Sequence, residues 1–144
     1  YNVRMGDPEC QVILPRLKTD IVKIFKNTIT NRLKNTKIEW RKKKSMAIVL
    51  CTKGYPGSYK KNLLINNINK VKLLKEDFIY HAATKILNNE IRSNGGRVLN
   101  FVSIGNNFLS VRNQIISYIK KLNWKKGFFR KDIGWKIIEK YENY

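Results

Sequence analysis

The first nine residues combine an amide, a guanidinium, a Gly-Asp-Pro turn and a carboxylate, which are groups suited to metal and phosphate chemistry. Asn2 and Arg4 are two positions apart, so in an extended strand both side chains point to the same face. An amide oxygen is a fair ligand for Mg²⁺ only beside a carboxylate, because a hard cation prefers charged oxygens. An arginine on that face would neutralise a transferring phosphoryl group. The pattern predicts half of a magnesium-and-phosphate pocket, with the missing carboxylate just upstream of Tyr1.

Two further segments could approach a ligand closely. The turn at 6–8 places the carboxylate of Glu9 near the end of the first strand. The NGGR sequence at 94–97 is either a plain hairpin turn or an anion site, in which backbone N–H groups approach the ligand and Arg97 clamps it. The residue types alone favour the hairpin.

Several common catalytic and metal patterns are missing from the sequence. The one histidine, His81, falls on a predicted strand, where a histidine is usually packed and hydrogen-bonded. Cys10 and Cys51 are far apart and form no CxxC motif, which argues against the usual zinc patterns and a disulfide framework. No glycine-rich loop precedes a predicted helix, so the sequence shows no such device for holding ATP.

The net charge of +20 suggests a polyanionic partner, because clustered cations release counterions from phosphate backbones. The excess is mostly lysine, 22 Lys against 8 Arg, whereas specific nucleic-acid contacts favour arginine. Lys, Asn and Ile share AT-rich codons, so a biased genome would give this profile on any surface. The segment 123–136 alternates aromatic and basic residues, as a stacking groove would, but we favour inward packing of its aromatic rings. We predict no nucleic-acid partner and keep a basic RNA-binding module as the alternative function.

The expected location is the cytoplasm. The longest apolar run, Met46 to Cys51, is too short to span a bilayer, and no signal peptide precedes it. The absence of a disulfide framework fits a reducing compartment. We therefore expect a soluble protein without a membrane partner.

Hydrophobic periodicity predicts the elements that position these residues. Apolar residues four apart predict a helix from Leu17 to about Asn35, and the basic run at 41–44 is interpreted as a hinge. Strands are predicted at 45–51, 68–74, 77–87, 90–93 and 97–105, followed by a second amphipathic helix over 108–122. The Pro-Gly pair of GYPG at 54–57 suits a type II turn. The fold class is therefore α+β, a small antiparallel sheet carrying a helix.

Residues 2–11, NVRMGDPECQ, resemble the Asn-x-Arg-Phe-Gly-Asp-Pro-Glu signature that closes the ATP-grasp domain of the phosphoribosylamine–glycine ligase family. Four other segments are similar to later blocks of that family, in the same order and at similar spacing. They are GYPG at 54–57, HAAT at 81–84, NGGRVL at 94–99 and RKDIGW at 130–135. The resemblance implies the tail of an ATP-grasp domain over residues 1–40. It also implies a C-terminal ligase domain over 45–144, a small antiparallel sheet with packed helices.

The resemblance also implies an ATP-dependent C–N ligase of purine biosynthesis. In that family ATP phosphorylates the carboxylate of glycine, and the amine of 5-phosphoribosylamine attacks the resulting glycyl phosphate. The expected partners are glycine, phosphoribosylamine and ATP, with Mg²⁺ or Mn²⁺ as the cofactor, together with the missing N-terminal part of the enzyme. We expect this chain alone to be inactive and to bind ATP poorly, because an amide without its carboxylate is a weak Mg²⁺ site.

Site residues are carried over from the family's motifs to the matching positions. Asn2 resembles the second metal ligand of a Glu-x-Asn pair in which Tyr1 is the middle residue, and Arg4 resembles the catalytic arginine that faces the reacting phosphate. The substrate-binding residues implied by the resemblance lie in two loops. They are Gly6, Asp7, Pro8, Glu9, Asn94, Gly95, Gly96 and Arg97. The resemblance thus favours interpretation of the 94–97 segment as a binding loop over a plain hairpin turn.

Two positions depart from the family's pattern. Met5 stands where the family has phenylalanine, and methionine can fill the same apolar space. Ala83 stands where the family has the glycine of His-Ala-Gly-Thr, and alanine would be strained there if the position requires a positive φ. A third interpretation is a regulatory or structural domain that keeps the family's fold without its activity.

Overall fold

A computed structural model describes residues 2–142 and has an α+β architecture built on a four-stranded antiparallel sheet. The strands are β1 (Lys44–Thr52), β2 (Phe78–His81), β3 (Thr84–Leu87), β4 (Glu90–Ser93), β5 (Arg97–Gly105) and β6 (Gly127–Phe128). The helices are α1 (Glu9–Ile13), α2 (Ile21–Ile29), α3 (Phe108–Leu122) and α4 (Trp135–Glu142). The sheet order is β2-β5-β1-β6, and β3 and β4 form a separate two-stranded sheet. The predicted fold class is confirmed.

The core of the sheet is the long antiparallel pair of β1 and β5. Residues 98–104 of β5 are buried, which agrees with the mostly apolar sequence of this strand. The pairing is regular from Lys44 opposite Gly105 to Leu50 opposite Leu99. The next pair is Cys51 opposite Arg97, so one extra residue of β5 forms a bulge at this end.

Helix α3 covers one face of this sheet, as its periodicity predicts. It begins at the N-cap Asn107, whose side chain accepts a hydrogen bond from the Ser110 N–H at 2.7 Å. Its buried side chains share one face of the helix and pack into the core. They are Val111, Ile115, Tyr118, Ile119 and Leu122. Each such side chain stabilises the fold by roughly 1.5–3 kcal/mol through loss of apolar surface to water.

A buried carboxylate joins α3 to the sheet. Asp77 accepts hydrogen bonds from the Tyr118 hydroxyl at 2.5 Å and the Ser103 hydroxyl at 2.8 Å. The Tyr118 oxygen in turn accepts from the Leu74 N–H at 3.0 Å. The network satisfies the charge of a side chain that is almost fully buried, as a stable fold requires.

We expect this network to make stability fall at alkaline pH. Burial, followed by the hydrogen bond to Asp77, raises the pKa of Tyr118 above its ordinary value. A raised pKa in the folded state means that the contribution to stability is complete below about pH 10 and is lost as the pH rises through the folded-state pKa. Urea unfolding at about pH 8 and pH 11 should show a smaller alkaline loss for Tyr118→Phe than for the wild type. The exposed control Tyr141→Phe should keep the full loss, and equal losses for both variants would contradict the prediction.

Several predicted elements are wrong in position. The helix predicted over 17–35 is α2 alone, because it begins at the Asp20 N-cap and ends before Asn31, whose φ is 57°. Its expected inward stripe is largely exposed, at 60% for Phe25 and 82% for Ile29. The strand predicted at 68–74 is instead a 3₁₀ turn over Ile68–Lys70 followed by irregular chain. Sequence reasoning also missed β6 and α4.

The predicted hairpin lies elsewhere. The strand predicted at 77–87 divides into β2 and β3, which belong to different sheets. The two-residue turn with positive φ is Asn88-Asn89, at 50° and 60°, between β3 and β4. The 94–96 segment instead carries the chain from the small sheet to the large one, and none of its residues has a positive φ. The GYPG turn is not type II, because the positive φ falls at Gly54 and not at Gly57.

The two ends of the segment that surrounds α2 contact each other just before β1. Leu17 and Trp40 form an antiparallel bridge, and the Arg41 N–H donates to the Arg16 carbonyl at 2.7 Å. Arg41 and Lys43 both bind the carboxylate of Glu76, which lies just before β2. The predicted hinge at 41–44 is therefore fixed by two ion pairs. Within residues 2–142, every helix falls short of the length and apolar character that a membrane crossing requires.

Candidate functional site

The two loops carried over from the family meet in the structure. The Arg97 Nη1 donates a hydrogen bond to the backbone carbonyl of Asp7 at 2.8 Å, and Nη2 lies 3.6 Å from Oδ2 of the same residue. These residues are ninety positions apart in the sequence. Arg97 begins β5, and Asp7 lies in the turn that precedes α1. The first turn and the 94–97 segment therefore lie side by side.

The bulge in β5 explains how this contact forms. Arg97 and Asn100 are three positions apart, so a regular strand would place them on opposite faces of the sheet. The extra residue, Val98, breaks the alternation between the Leu50–Leu99 and Cys51–Arg97 pairs. Both side chains consequently reach Asp7, Arg97 at its carbonyl and Asn100 at its carboxylate.

The Asp7 carboxylate is held by two amides. The Asn100 Nδ2 and the Gln11 Nε2 each donate to Asp7 Oδ1 at 2.8 Å. Asn100 is fully buried on the central strand, whereas Asp7 is exposed. One carboxylate oxygen is thus fixed by neutral donors, and the other lies beside a guanidinium.

The first turn is ordered by its own side chains. The Gly6 N–H donates to Glu9 Oε2 at 2.8 Å, and the Cys10 N–H donates to the Gly6 carbonyl at 2.9 Å. The Asp7–Pro8 peptide bond is cis. The carboxylate of Glu9 therefore closes the turn, and it is the carboxylate of Asp7 that contacts β5.

An open cavity of about 480 Å³ lies where these loops meet. Its lining combines one carboxylate, one guanidinium, one amide and one aromatic ring. The lining residues are Asp7, Gln11, Tyr55, Ala82, Ala83, Gly96 and Arg97. A cavity with adjacent opposite charges can bind a small molecule that carries both an amine and an anionic group.

The 94–96 segment shapes this cavity by close packing. The Gly96 carbonyl accepts the Thr52 N–H at 2.8 Å, and the Gly95 carbonyl accepts the Thr52 hydroxyl at 3.0 Å. A Cβ on Gly96 would lie 2.0 Å from the Tyr55 ring, and one on Gly95 would lie 2.6 Å from the Ala83 Cβ. The glycines are thus required for close approach and not for a positive φ. Ala83 also lacks a positive φ, so the strain considered for alanine there is absent.

The substitution Gly96→Ala should therefore be destabilising. The new methyl group would overlap the Tyr55 ring, and moving that ring should cost about 1–3 kcal/mol in unfolding free energy. Urea unfolding would measure the loss. The control Gly57→Ala places its Cβ 3.2 Å from the Gly54 carbonyl oxygen, a tight contact that a shift of a few tenths of an ångström relieves, so its loss of stability should be smaller than that of Gly96→Ala. Equal stability of the two variants would contradict the packing argument.

Asn2 and Arg4 do not lie on a strand. Residues 3 and 4 form a bend, and the Asn2 Oδ1 accepts the Arg4 N–H at 3.2 Å. Both side chains are exposed, and the predicted common face of an extended strand is not formed. Tyr1 lies outside the described residues.

The described residues do not by themselves fit a magnesium site. Among them no cluster of three or more His, Cys, Asp or Glu could hold a metal ion. Asn2, the predicted ligand, offers only an amide oxygen, and that oxygen already accepts a hydrogen bond from Arg4. A hard cation requires carboxylate oxygens that this arrangement does not supply.

Comparison with known proteins identifies the family of this fold. The sequence profile described as "Phosphoribosylglycinamide synthetase, C domain" matches residues 45–136, which include β1 to β6 and α3. The chain belongs to this family. Arg97 and Asn100 lie inside the matched residues, whereas Asp7 lies in the segment before them.

Relatives of the synthetase C-domain family match over most of this chain. Phosphoribosylamine–glycine ligase from Agrobacterium fabrum is 41% identical over 138 residues, which cover 96% of the chain and 32% of the relative. The ligase of the same name from Caldanaerobacter subterraneus is 41% identical over 134 residues, which cover 93% of this chain and 31% of the relative. A crystal structure of the Thermotoga maritima ligase aligns with a TM-score of 0.67 at 27% identity, over 92% of this chain and 32% of that one. The chain thus spans about a third of the length of these relatives, and the family predicted from its motifs is confirmed.

Other candidate residues lie outside the cavity. The His81 Nδ1 is 2.8 Å from the Thr84 hydroxyl, on an exposed part of the chain. Burial raises the pKa of the Cys51 thiol, an effect that nearby Arg97 opposes, so Cys51 is expected to remain a neutral thiol at neutral pH. Trp124 is buried and donates to the Leu64 carbonyl at 2.8 Å, which supports inward packing of the 123–136 segment, although Trp135 is 49% exposed.

A larger cavity of about 920 Å³ lies on another part of the surface. It contains none of the site residues carried over from the family. Its floor includes the apolar side chains of Leu14, Leu17 and Trp40, and lysines and Arg41 surround it. Arg41 and Lys43 are already paired with Glu76 there.

Gln11 and Asn100 are the site residues that sequence reasoning missed. A signal was present for each of them. Gln11 follows Asp7 by four positions, the spacing at which side chains meet on a helix. Asn100 is an amide inside the apolar run of β5, where a polar side chain requires a buried partner.

Proposed function

We propose that the protein containing this chain is an ATP-dependent ligase that joins glycine to 5-phosphoribosylamine through a glycyl phosphate in de novo purine biosynthesis. The observation that carries this proposal is the contact of the Asp7 turn with Arg97 beside one cavity. The turn comes from the segment that resembles the end of an ATP-grasp domain, and Arg97 comes from the family-matched domain. The names of the relatives support the same reaction.

We infer complementary roles for the two charged residues at the cavity. The Asp7 carboxylate would attract the amine of glycine or phosphoribosylamine, and Arg97 would bind the carboxylate or phosphate of the same molecule. Holding both groups fixes the orientation of that molecule relative to its reaction partner, which lowers the entropic cost of the chemical step. Gly6, Pro8 and Glu9 would shape the first loop.

The second loop has a packing role in the proposed site. Gly95 and Gly96 allow the start of β5 to pack against Ala83 and the Tyr55 ring. The Asn94 N–H donates a hydrogen bond to the Ala83 carbonyl at 2.8 Å. The glycines keep side chains out of the cavity edge. The proposal assigns substrate contact mainly to Arg97 in this loop.

The proposal also keeps the metal and phosphate roles of the segment that contains Asn2 and Arg4. Arg4 would face the reacting phosphate, and Asn2 would become a ligand of Mg²⁺ or Mn²⁺ beside ATP only together with a carboxylate from the rest of the enzyme. Residues 1–40 would end the ATP-grasp domain, and 45–144 would form the C-terminal domain. The partner would be the N-terminal part of the same enzyme, in the cytoplasm.

The full-length protein that carries this chain provides the direct test. Its gene should restore growth of a bacterial strain that lacks phosphoribosylamine–glycine ligase on medium without purines. The purified protein should release ADP only when both glycine and phosphoribosylamine are present. Absence of growth together with absence of substrate-dependent ADP release would refute the proposal.

The isolated chain offers a second measurement. We expect it to show no ligase activity and no micromolar, Mg²⁺-dependent binding of ATP in isothermal titration, because its described residues contain no cluster of three or more His, Cys, Asp or Glu that could hold the metal ion. Strong binding would place a complete nucleotide site within this chain and would contradict the proposed division of the enzyme.

A further inference from the structure

We propose that Asn100 and Gln11 are positioning residues that orient the Asp7 carboxylate towards substrate. The inference rests on the proposed function, because Asp7 must bind a substrate for its orientation to matter. It adds two residues that act through Asp7 and need not touch the substrate themselves.

The hydrogen-bond geometry defines the orientation. The Asn100 Nδ2 and the Gln11 Nε2 both donate to Asp7 Oδ1 at 2.8 Å. A carboxylate only accepts, so each amide must turn its NH₂ group towards Asp7. Two donors on one oxygen restrict rotation of the carboxylate and leave Oδ2 on the side of Arg97, 3.6 Å from Nη2.

The burial of the amides shows that stability alone does not favour them. Asn100 is fully buried in the central strand, between residues of an apolar run. Its Oδ1 and the Oε1 of Gln11 are buried without a hydrogen-bond partner among the described residues. A buried acceptor without a partner is destabilising, and an apolar side chain at either position would avoid that loss. The hydrogen bond that each amide donates to Asp7 therefore explains why an amide occupies each position.

The orientation has a consequence for recognition. The distance of 3.6 Å between Arg97 Nη2 and Asp7 Oδ2 is longer than a hydrogen bond, so neither charged group is fully satisfied by the other. With Oδ1 held by the two amides, Asp7 Oδ2 and the guanidinium stand side by side at the cavity. This arrangement suits a ligand with an amine close to a carboxylate, which describes glycine.

Single substitutions at Asn100 and Asp7 test the inference in the full-length protein. Asn100→Asp keeps the shape of the side chain but turns the donor into an acceptor that repels Asp7. The variant should raise the KM for glycine or phosphoribosylamine by about 10- to 100-fold, the order expected when a reacting group is misplaced. Asp7→Asn should raise the same KM. The control Asn107→Asp makes the identical change at the N-cap of α3, where a carboxylate also accepts the Ser110 N–H, and it should leave KM unchanged.

The double variant Asp7→Asn with Asn100→Asp separates positioning from simple structural support. The exchanged pair can form the same hydrogen bond in the opposite direction, so the melting temperature should recover. KM should stay as high as in Asp7→Asn alone, because the carboxylate no longer stands at the cavity. Recovery of KM to the wild-type value would overturn the inference in favour of a structural tether.

The outcomes also separate the inference from the proposed function. If Asp7→Asn raises KM and Asn100→Asp stays within twofold of the wild type, the function stands and the inference fails. If the wild type has no ligase activity, the proposed function fails and the inference fails with it. If Asn100→Asp does not fold, Gln11→Met decides, because this half-buried position keeps its volume and loses the amide, whose Nε2 donates to Asp7 and whose Oε1 has no partner among the described residues. A raised KM with an unchanged melting temperature supports positioning, and an unchanged KM overturns it.

Discussion

Replacing Arg97 with methionine in the full-length protein is expected to lower kcat/KM for phosphoribosylamine by about 100-fold, with a rise in KM as the main component. Arg97 is the only guanidinium that lines the described cavity, and its two terminal nitrogens lie at the Asp7 carbonyl and near its carboxylate. Methionine keeps much of the apolar stem and removes the charge and the donors. The variant would thus lose both the anion contact and the tether of the first turn.

Two matched variants make the result interpretable. Arg97→Lys keeps the positive charge without the planar pair of donors, so it should retain part of the lost kcat/KM. Arg130→Met makes the same change at an exposed arginine paired with Asp132, away from the cavity, and should leave the kinetics unchanged. Wild-type kinetics in Arg97→Met would exclude Arg97 from substrate binding, while an equal loss in Arg130→Met would indicate a general effect of charge.

Replacing Asp77 with alanine is expected to lower the free energy of unfolding by about 3–5 kcal/mol. Its carboxylate accepts from the Tyr118 and Ser103 hydroxyls and, at 3.3 Å, from the Ile104 N–H. Removal of the acceptor leaves these donors beside a new cavity under α3. Because α3 packs on the sheet through Tyr118 and its neighbours, the loss should appear in global unfolding.

Urea unfolding followed by tryptophan fluorescence would measure the change, since Trp124 is buried in the same core. Tyr118→Phe removes one donor and keeps the ring, so its expected loss is smaller, about 1 kcal/mol. The control Asp132→Ala removes an exposed carboxylate whose ion pair with Arg130 is screened by solvent, so this variant should unfold at nearly the wild-type urea concentration. A loss for Asp77→Ala no greater than that of the control would mean that the network does not stabilise the fold.

Sequence reasoning located the elements whose pattern is local. The apolar runs of β1 and β5 and the spacing of α3 correspond to the observed strands and helix, because burial of one face imposes its period on the sequence. Sequence reasoning failed where contacts with distant segments decide the local structure. The 68–74 alternation resembles a strand, yet the chain there forms a 3₁₀ turn and irregular structure. The glycines at 95 and 96 resemble a hairpin turn, yet they serve close packing against Tyr55 and Ala83.

The sequence by itself determined the family and the α+β class, and its motifs pointed to two candidate loops, since ordered motifs and hydrophobic periods are properties of the linear chain. Only the tertiary structure decided which side chains meet. The bulge at Val98 turns Arg97 and Asn100 towards the same aspartate. Because β5 is buried on both faces, its sequence has no alternation that such a bulge would interrupt. Contacts such as that between Asp7 and Asn100 depend on how distant segments pack, which local spacing does not encode.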